Sequence, residues 1–171
     1  MSQLAITVLG HDRPGIIAAT TLALADLGLN IEDSSMTLLR GHFAMTLVTE
    51  GEAGIGQVSQ ALEFLEADAT LTVTVSQMPA ESTAERGAPY VLSVHGGDRP
   101  GIVARLVGVV AQAGGNITDL STRLAGELYV LIAECDFPAS ADIVAVQANL
   151  AEAADDLGVT VSLRSAESDE F

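Results

Sequence analysis

The residues best suited to binding chemistry stand in a heptapeptide that occurs twice. It reads Gly-His-Asp-Arg-Pro-Gly-Ile at residues 10–16 and Gly-Gly-Asp-Arg-Pro-Gly-Ile at residues 96–102. Where a helix begins, the first N–H groups are unpaired and carry partial positive charge, so a carboxylate can dock on them. Asp12 and Asp98 could meet an ammonium group or simply cap the helix. The pattern indicates either a site for a small zwitterion or a structural turn.

A second repeated string follows each heptapeptide. Asn30-Ile31 and Asn116-Ile117 come just after the predicted C-terminal ends of two helices. A side-chain amide donates and accepts hydrogen bonds, which suits the backbone of an amino acid. An asparagine here could equally finish the helix cap, so both interpretations stay open.

Most catalytic chemistry lacks its residues in this chain. All seven basic side chains are arginines, so there is no lysine for a Schiff base, pyridoxal phosphate or a P-loop. Three histidines (His11, His42 and His95) and one cysteine give no metal-ligand spacing. Cys135 lies in an apolar run and is predicted to be a buried structural thiol. We expect no enzyme, no cofactor and no metal site.

The charge balance excludes two kinds of partner. The formal net charge is −16, and both halves of the chain are acidic. Nucleic-acid binding requires clustered Lys and Arg to neutralise phosphates, and anionic membrane surfaces have the same requirement. No apolar run approaches the ~18 residues of a membrane span, and strand-like sequence begins at once. The sequence predicts a soluble cytoplasmic protein that contacts neither nucleic acid nor membrane.

The duplication extends far beyond the two heptapeptides. At a constant offset of 86 residues, Gly28 matches Gly114, Asp33 matches Asp119, and no gap is needed between residues 4 and 49. Such a repeat indicates two similar modules. Because each is near the lower size limit for a stable core, we expect them to pack together or in a homodimer. The predicted divisions are module one (1–77), a linker (78–88), module two (89–164) and an acidic tail (165–171).

Both modules show the element order β-α-β-β-α-β, typical of an α+β ferredoxin-like fold. In module one we predict a strand buried on both faces (Leu4–Leu9), a helix capped by Asp12 with Gly15 in its first turn and ending at Gly28, strands Asn30–Leu39 and Phe43–Thr49, a helix containing Val58, Leu62 and Leu65, and a strand Thr70–Ser76. In module two we predict strands Tyr90–His95, Asn116–Leu124, Leu128–Cys135 and Val159–Leu163, and helices Arg99–Ala113 and Ala141–Asp156, the latter capped by Ser140.

This element order, with Asp-Arg-Pro-Gly-Ile after the first strand and Gly-x-Asn-Ile after the helix, resembles the ACT domain. Module one, with Asn30-Ile31-Glu32-Asp33-Ser34, is most similar to the glycine cleavage system transcriptional repressor group of tandem ACT proteins. Module two departs from that group, reading Asn116-Ile117-Thr118-Asp119-Leu120. The resemblance implies that an amino acid binds where two modules meet. It implies these ligand-binding residues: Gly10, His11, Asp12, Arg13, Pro14, Gly15, Ile16, Asn30, Ile31, Gly96, Gly97, Asp98, Arg99, Pro100, Gly101, Ile102, Asn116 and Ile117.

The resemblance also implies a function. We expect a non-catalytic regulator that binds a small amino acid, glycine or serine-like, and signals by contacting another protein, such as a DNA-binding transcriptional activator. One alternative is a protein-interaction module that needs no ligand. A second is an accessory domain related to formyltetrahydrofolate deformylase, whose N-terminal ACT segment carries a similar Asp-Arg-Pro-Gly string.

Overall fold

A computed structural model describes residues 2–79 and 87–166 of the chain. It contains two compact units, Met1–Ser82 and Thr83–Phe171. Most of the predicted linker (78–88) and of the predicted acidic tail (165–171) lies outside the described residues. Each unit has its own apolar core, and the two are described separately below.

Each unit is a four-stranded antiparallel sheet with two helices, which confirms the predicted α+β ferredoxin-like fold. The first unit comprises β1 (Ser2–His11), α1 (Ile16–Asp26), β2 (Asn30–Leu39), β3 (His42–Gly51), α2 (Ile55–Leu62), a 3₁₀ turn (Glu63–Glu66) and β4 (Leu71–Gln77). The second comprises β5 (Ala88–Gly97), α3 (Ile102–Gln112), β6 (Asn116–Ala125), β7 (Leu128–Phe137), α4 (Ile143–Leu157) and β8 (Val159–Ser165). The strand orders in the two sheets are β2-β3-β1-β4 and β6-β7-β5-β8.

The first strand is buried on one face only, so the prediction of two buried faces is wrong. Leu4, Ile6 and Val8 are fully buried, whereas Leu9 is 52% exposed. The buried face packs on the helices through side chains such as Leu24 and adds to a single core. An antiparallel sheet can leave its other face to solvent, and an all-apolar run does not reveal this.

The helix starts also differ from the prediction. Helix α1 begins after Gly15 and α3 after Gly101, and neither N-terminus has a side-chain cap, so Asp12 is not a cap and Arg99 is not helical. Helix α4 begins at Ile143, and its cap is Asp142 rather than Ser140. The Asp142 carboxylate accepts a hydrogen bond of 3.1 Å from the Ala145 N–H. These errors arose because several cap-forming residues precede each helix, and backbone geometry chooses among them.

The predicted end of the first helix at Gly28 is confirmed, whereas the first hairpin turn is shorter than the turn Arg40-Gly41-His42 that the sequence predicts, because His42 belongs to β3. Gly28 follows α1 in the left-handed region, with φ 70°, as does Gly114 after α3, with φ 75°. The β2–β3 connection is a two-residue turn in which Arg40 and Gly41 both have positive φ, the geometry that suits a tight hairpin. Both modules also have a bulge one residue after the Asn-Ile string, which the sequence did not predict.

Candidate functional site

The two strand–helix loops end in the same unusual backbone conformation. Gly15 has φ 91° and ψ −4°, and Gly101 has φ 93° and ψ −5°. A Cβ at either position would meet no atom within 4 Å, so the glycines are required by the positive φ and not by crowding. The space in front of each helix is therefore open.

The first amides of both helices face that open space without a capping side chain. The first helical hydrogen bonds are Ala19 N–H to the Gly15 carbonyl and Arg105 N–H to the Gly101 carbonyl, each 2.9 Å. The three amides before each of these have no acceptor one turn earlier in the helix. No acidic residue stands in either first turn. Each helix start thus offers unneutralised donors of the kind that hold a carboxylate.

Backbone contacts fix the loop of module one. Gly10 lies against the Thr70 carbonyl so closely that a Cβ would overlap the oxygen. The His11 N–H donates to the same carbonyl at 2.9 Å, and the Asp12 N–H donates to the Gly41 carbonyl at 3.2 Å. The loop is therefore tied to β4 on one side and to the β2–β3 hairpin on the other.

Arg13 points back into its own module. Its guanidinium donates to the Asp68 carboxylate at 2.9 Å and to the Leu65 carbonyl at 3.3 Å. Asp68 also accepts from the Thr70 hydroxyl at 2.7 Å and the Thr70 N–H at 3.1 Å. These Thr70 bonds, with the charge of Arg13 as a smaller cause, lower the pKa of Asp68 below its ordinary value of 3.8. Arg13 thus holds the loop on the turn before β4.

Arg99 has the same sequence position in module two but a different neighbour. Its guanidinium lies beside Gly158, the left-handed glycine that ends α4. A cation at this place is favoured by the partial negative charge of a helix C-terminus. Both arginines thus brace their loops on the segment after the second helix, by different contacts.

The other predicted loop residues differ in how far they are exposed to solvent. Ile16 and Ile102 are buried in the cores, at 3% and 2% exposure, so their side chains are structural. Gly10 and Gly96 are partly buried. The remaining members are exposed: His11, Asp12, Pro14, Gly97, Asp98 and Pro100.

Asn30 and Asn116 lie far from the loops of their own modules. Asn30 pairs with Glu50, which pairs with Gln3 near the start of β1, whereas the loop leaves the other end of β1 at His11. Eight residues of strand correspond to about 26 Å. Asn116 occupies the equivalent place beside Asp136. A single module therefore does not bring Asn-Ile and the Asp-Arg-Pro-Gly loop together.

Sequence reasoning missed the residues that do surround the module-one loop. These are His42, Asp68 and Thr70, together with the carbonyls of Gly41 and Leu65. His42 is the first residue of β3, directly after the two-residue hairpin turn. No short-range sequence pattern shows that His42 pairs with His11 across the sheet. Nor does one show that Arg13 contacts Asp68, which lies 55 residues away.

Cys135 is buried on β7 and contacts the Tyr90 carbonyl at 3.6 Å. Burial, with a smaller contribution from the Asp136 charge, raises the pKa of its thiol to about 11. A thiol of this kind is protonated and inert at neutral pH, which agrees with the predicted structural role.

Two structural features are absent from residues 2–79 and 87–166. None of the helices there is long and apolar enough to cross a membrane. Nor does that part of the chain bring together three or more His, Cys, Asp or Glu side chains in a metal-binding arrangement.

The fold and the repeated loops define a tandem α+β architecture of two ferredoxin-like modules, and comparison with known proteins identifies the family. A model of the ACT domain matches residues 2–76 and 89–164. Those two matches include nearly all described residues, so the chain belongs to the ACT domain family.

The similar proteins include one named as a transcriptional repressor, which matches most of this chain. The chain is 28% identical over 152 residues to the glycine cleavage system transcriptional repressor of Escherichia coli, covering 84% of this chain and 80% of that protein. It is 39% identical over 66 residues to a UPF0237 protein of Methanopyrus kandleri, covering 37% and 73%. A solved structure of an unknown protein from Galdieria sulphuraria matches with a TM-score of 0.81 and 28% identity, covering 96% and 98%. These similarities support a regulatory ACT protein.

Proposed function

We propose that this chain is a non-catalytic sensor that binds a small amino acid, glycine or serine-like, at its strand–helix loops and signals by contacting another protein. The observation that carries the proposal is the pair of uncapped helix starts behind Gly15 and Gly101. Both loops retain the same open backbone, although the side chains around them differ.

The loop geometry suits a zwitterion. The ligand carboxylate would accept from the first amides of α1 or α3, where the helix dipole adds to the attraction. The exposed carboxylate of Asp12 or Asp98 would attract the ammonium group. Asn30 and Asn116 lie at the far ends of their own sheets, so a contribution from them would have to come from another copy of the module. The other module of the same chain or a module of a second chain would have to supply it, and we propose a homodimer.

Charge and relatives together support protein contact as the output. A chain with a net charge of −16 is poorly suited to direct contact with DNA phosphates. The name of the Escherichia coli relative nevertheless links that protein to transcription of the glycine cleavage system. We therefore propose a DNA-binding transcriptional activator as the partner, and the cytoplasm as the location.

A thermal-shift screen of the full chain against the twenty amino acids tests the sensor function. Glycine or serine should raise the melting temperature, since a hundredfold excess over the dissociation constant stabilises by about 2.7 kcal/mol. The variant Gly15→Ala/Gly101→Ala disfavours the left-handed backbone conformation that precedes both helix starts and should weaken or abolish the response. No shift by any amino acid at millimolar concentration would refute ligand binding.

A ligand-independent interaction module is the second candidate. It is favoured by apolar side chains left uncovered along β2, where Met36, Leu38 and Leu39 are each about half exposed. Pull-down of a transcription regulator, repeated with and without glycine or serine, separates the two candidates. Recovery that does not depend on either amino acid would favour the interaction module.

A further inference from the structure

Two of the three histidines face each other at the end of the first sheet. His11 is the last residue of β1 and His42 the first of β3, and they form the final pair of the β1–β3 register. Their ring centroids are 5.3 Å apart and the ring planes are inclined by 31°. Both residues are exposed, so an ion in solution could reach the rings directly.

We propose that His11 and His42 form a two-histidine site for a divalent transition-metal ion such as Zn²⁺ or Ni²⁺. Zinc binds an imidazole nitrogen at about 2.0–2.1 Å, so two imidazoles on one tetrahedral ion have ring centroids about 5 Å apart. The observed spacing matches that value without movement of the strands.

The charge of the surrounding surface favours binding of a cation between the two imidazole rings. The net charge of −16 raises the local concentration of cations at the surface. No third His, Cys, Asp or Glu side chain joins the pair among residues 2–79 and 87–166, so water completes the coordination. Imidazole is a good ligand for zinc, nickel and copper, whereas magnesium and calcium prefer oxygen.

The site belongs to module one alone. The equivalent final pair in module two is Gly97 with Leu128, which has no ligand atoms in its side chains. The third histidine, His95, pairs with Val130 and has no second imidazole opposite it. A bound ion would tie the strand–helix loop, which starts at His11, to the β2–β3 hairpin, so it would stiffen one loop and not the other.

Isothermal titration of the metal-free full chain with Zn²⁺ alone, repeated with Ni²⁺, tests the site. One ion should bind per chain, and His11→Ala and His42→Ala should each weaken binding at least tenfold. His95→Ala is the matched control and should change binding less than twofold. Absence of saturable binding would overturn the proposal. So would equal losses in all three variants, or no loss in any, because the acidic surface would then be the ligand.

A second measurement does not depend on the variants folding. In an NMR titration of the unmodified chain with Zn²⁺, the imidazole signals of His11 and His42 should shift together at one equivalent, and those of His95 should stay. A shift of His95 with the others, or of one ring in the pair alone, would contradict a shared ion.

Discussion

The two strand–helix loops share a backbone and differ in what holds them. Gly15 and Gly101 agree within 2° in φ and 1° in ψ, and both precede an uncapped helix. Around them, Arg13 pairs with Asp68, whereas Arg99 lies against Gly158. The duplicated chain has thus kept the open helix start in both copies while the supporting contacts diverged, as expected if the backbone amides are the recognition element.

Because different contacts hold the two loops, replacing the first glycine of each loop should give the largest difference in lost stability between the modules. Gly10→Ala should destabilise module one by about 3 kcal/mol or more, since its Cβ would overlap the Thr70 carbonyl and move β4. Gly96→Ala should cost module two less, about 1–2 kcal/mol, because its Cβ meets the Val159 Cγ1 at 2.8 Å and the Val159 Cα at 3.0 Å, which a small shift of β8 relieves, whereas the Cβ at Gly10 would overlap a carbonyl oxygen. Urea unfolding followed by amide resonances of each module measures both.

Equal losses at the two positions would show that the loops are held alike and would contradict the comparison. The matched control is Gly54→Ala, a glycine with extended φ and open space around its Cβ. It should change the stability of module one by no more than about 0.5 kcal/mol.

The second pair of glycines should behave alike. Gly15→Ala and Gly101→Ala each place a side chain in the left-handed region without a clash, which costs about 1–2 kcal/mol. The same urea experiment should give losses that agree within the error of the measurement. A markedly larger loss in one module would mean that the shared backbone conformation is not equally important in both.

The smallest effect concerns Asp68, which exists only in module one. Thr70→Val should raise the pKa of Asp68 more than Arg13→Met does, because the Thr70 hydroxyl bond is the larger cause of the lowered value. Carboxyl NMR titration of the full chain measures both changes. A larger rise in Arg13→Met would show that the ion pair, and not the hydroxyl, controls this carboxylate.

A lowered pKa in the folded state also fixes the sign of a pH effect. The stability contributed by Asp68 is fully present above its ordinary pKa of 3.8 and is lost as the pH falls through its lower folded value. In Asp68→Asn, the free energy of unfolding of module one should therefore decrease less steeply as the pH falls below about 4. An unchanged dependence of unfolding free energy on pH in Asp68→Asn would show that Asp68 does not contribute to acid sensitivity.

The sequence predicted what depends on local pattern and repetition. The constant offset of 86 residues gave the two modules, and apolar spacing gave every strand and helix in order. Glycine after α1 correctly indicated a left-handed helix end at Gly28. These features depend on contacts within a few residues, so local sequence determines them.

The sequence failed where strand register or backbone dihedrals decide. Asp12 is a good cap by residue type, yet the positive φ of Gly15 starts the helix three residues later. Asn30 stands in the same repeat as the loop. Because β3 lies between β1 and β2 and is antiparallel to both, Asn30 at the start of β2 lies at the opposite end of the sheet from the loop. His42 meets His11 only through the β1–β3 register, which no short-range pattern encodes.

We propose that an amino-acid carboxylate docks on the first helical amides behind the strand–helix loops. Titration of ¹⁵N-labelled full chain with glycine or serine, followed by amide correlation spectra, tests it at the atoms concerned. Saturable shifts are expected at the amides of residues 16–18 or 102–104, with little change at Val144, an exposed residue at the start of α4. Thermal stabilisation with shifts confined to other surfaces, or no saturable shift at either helix start, would contradict it.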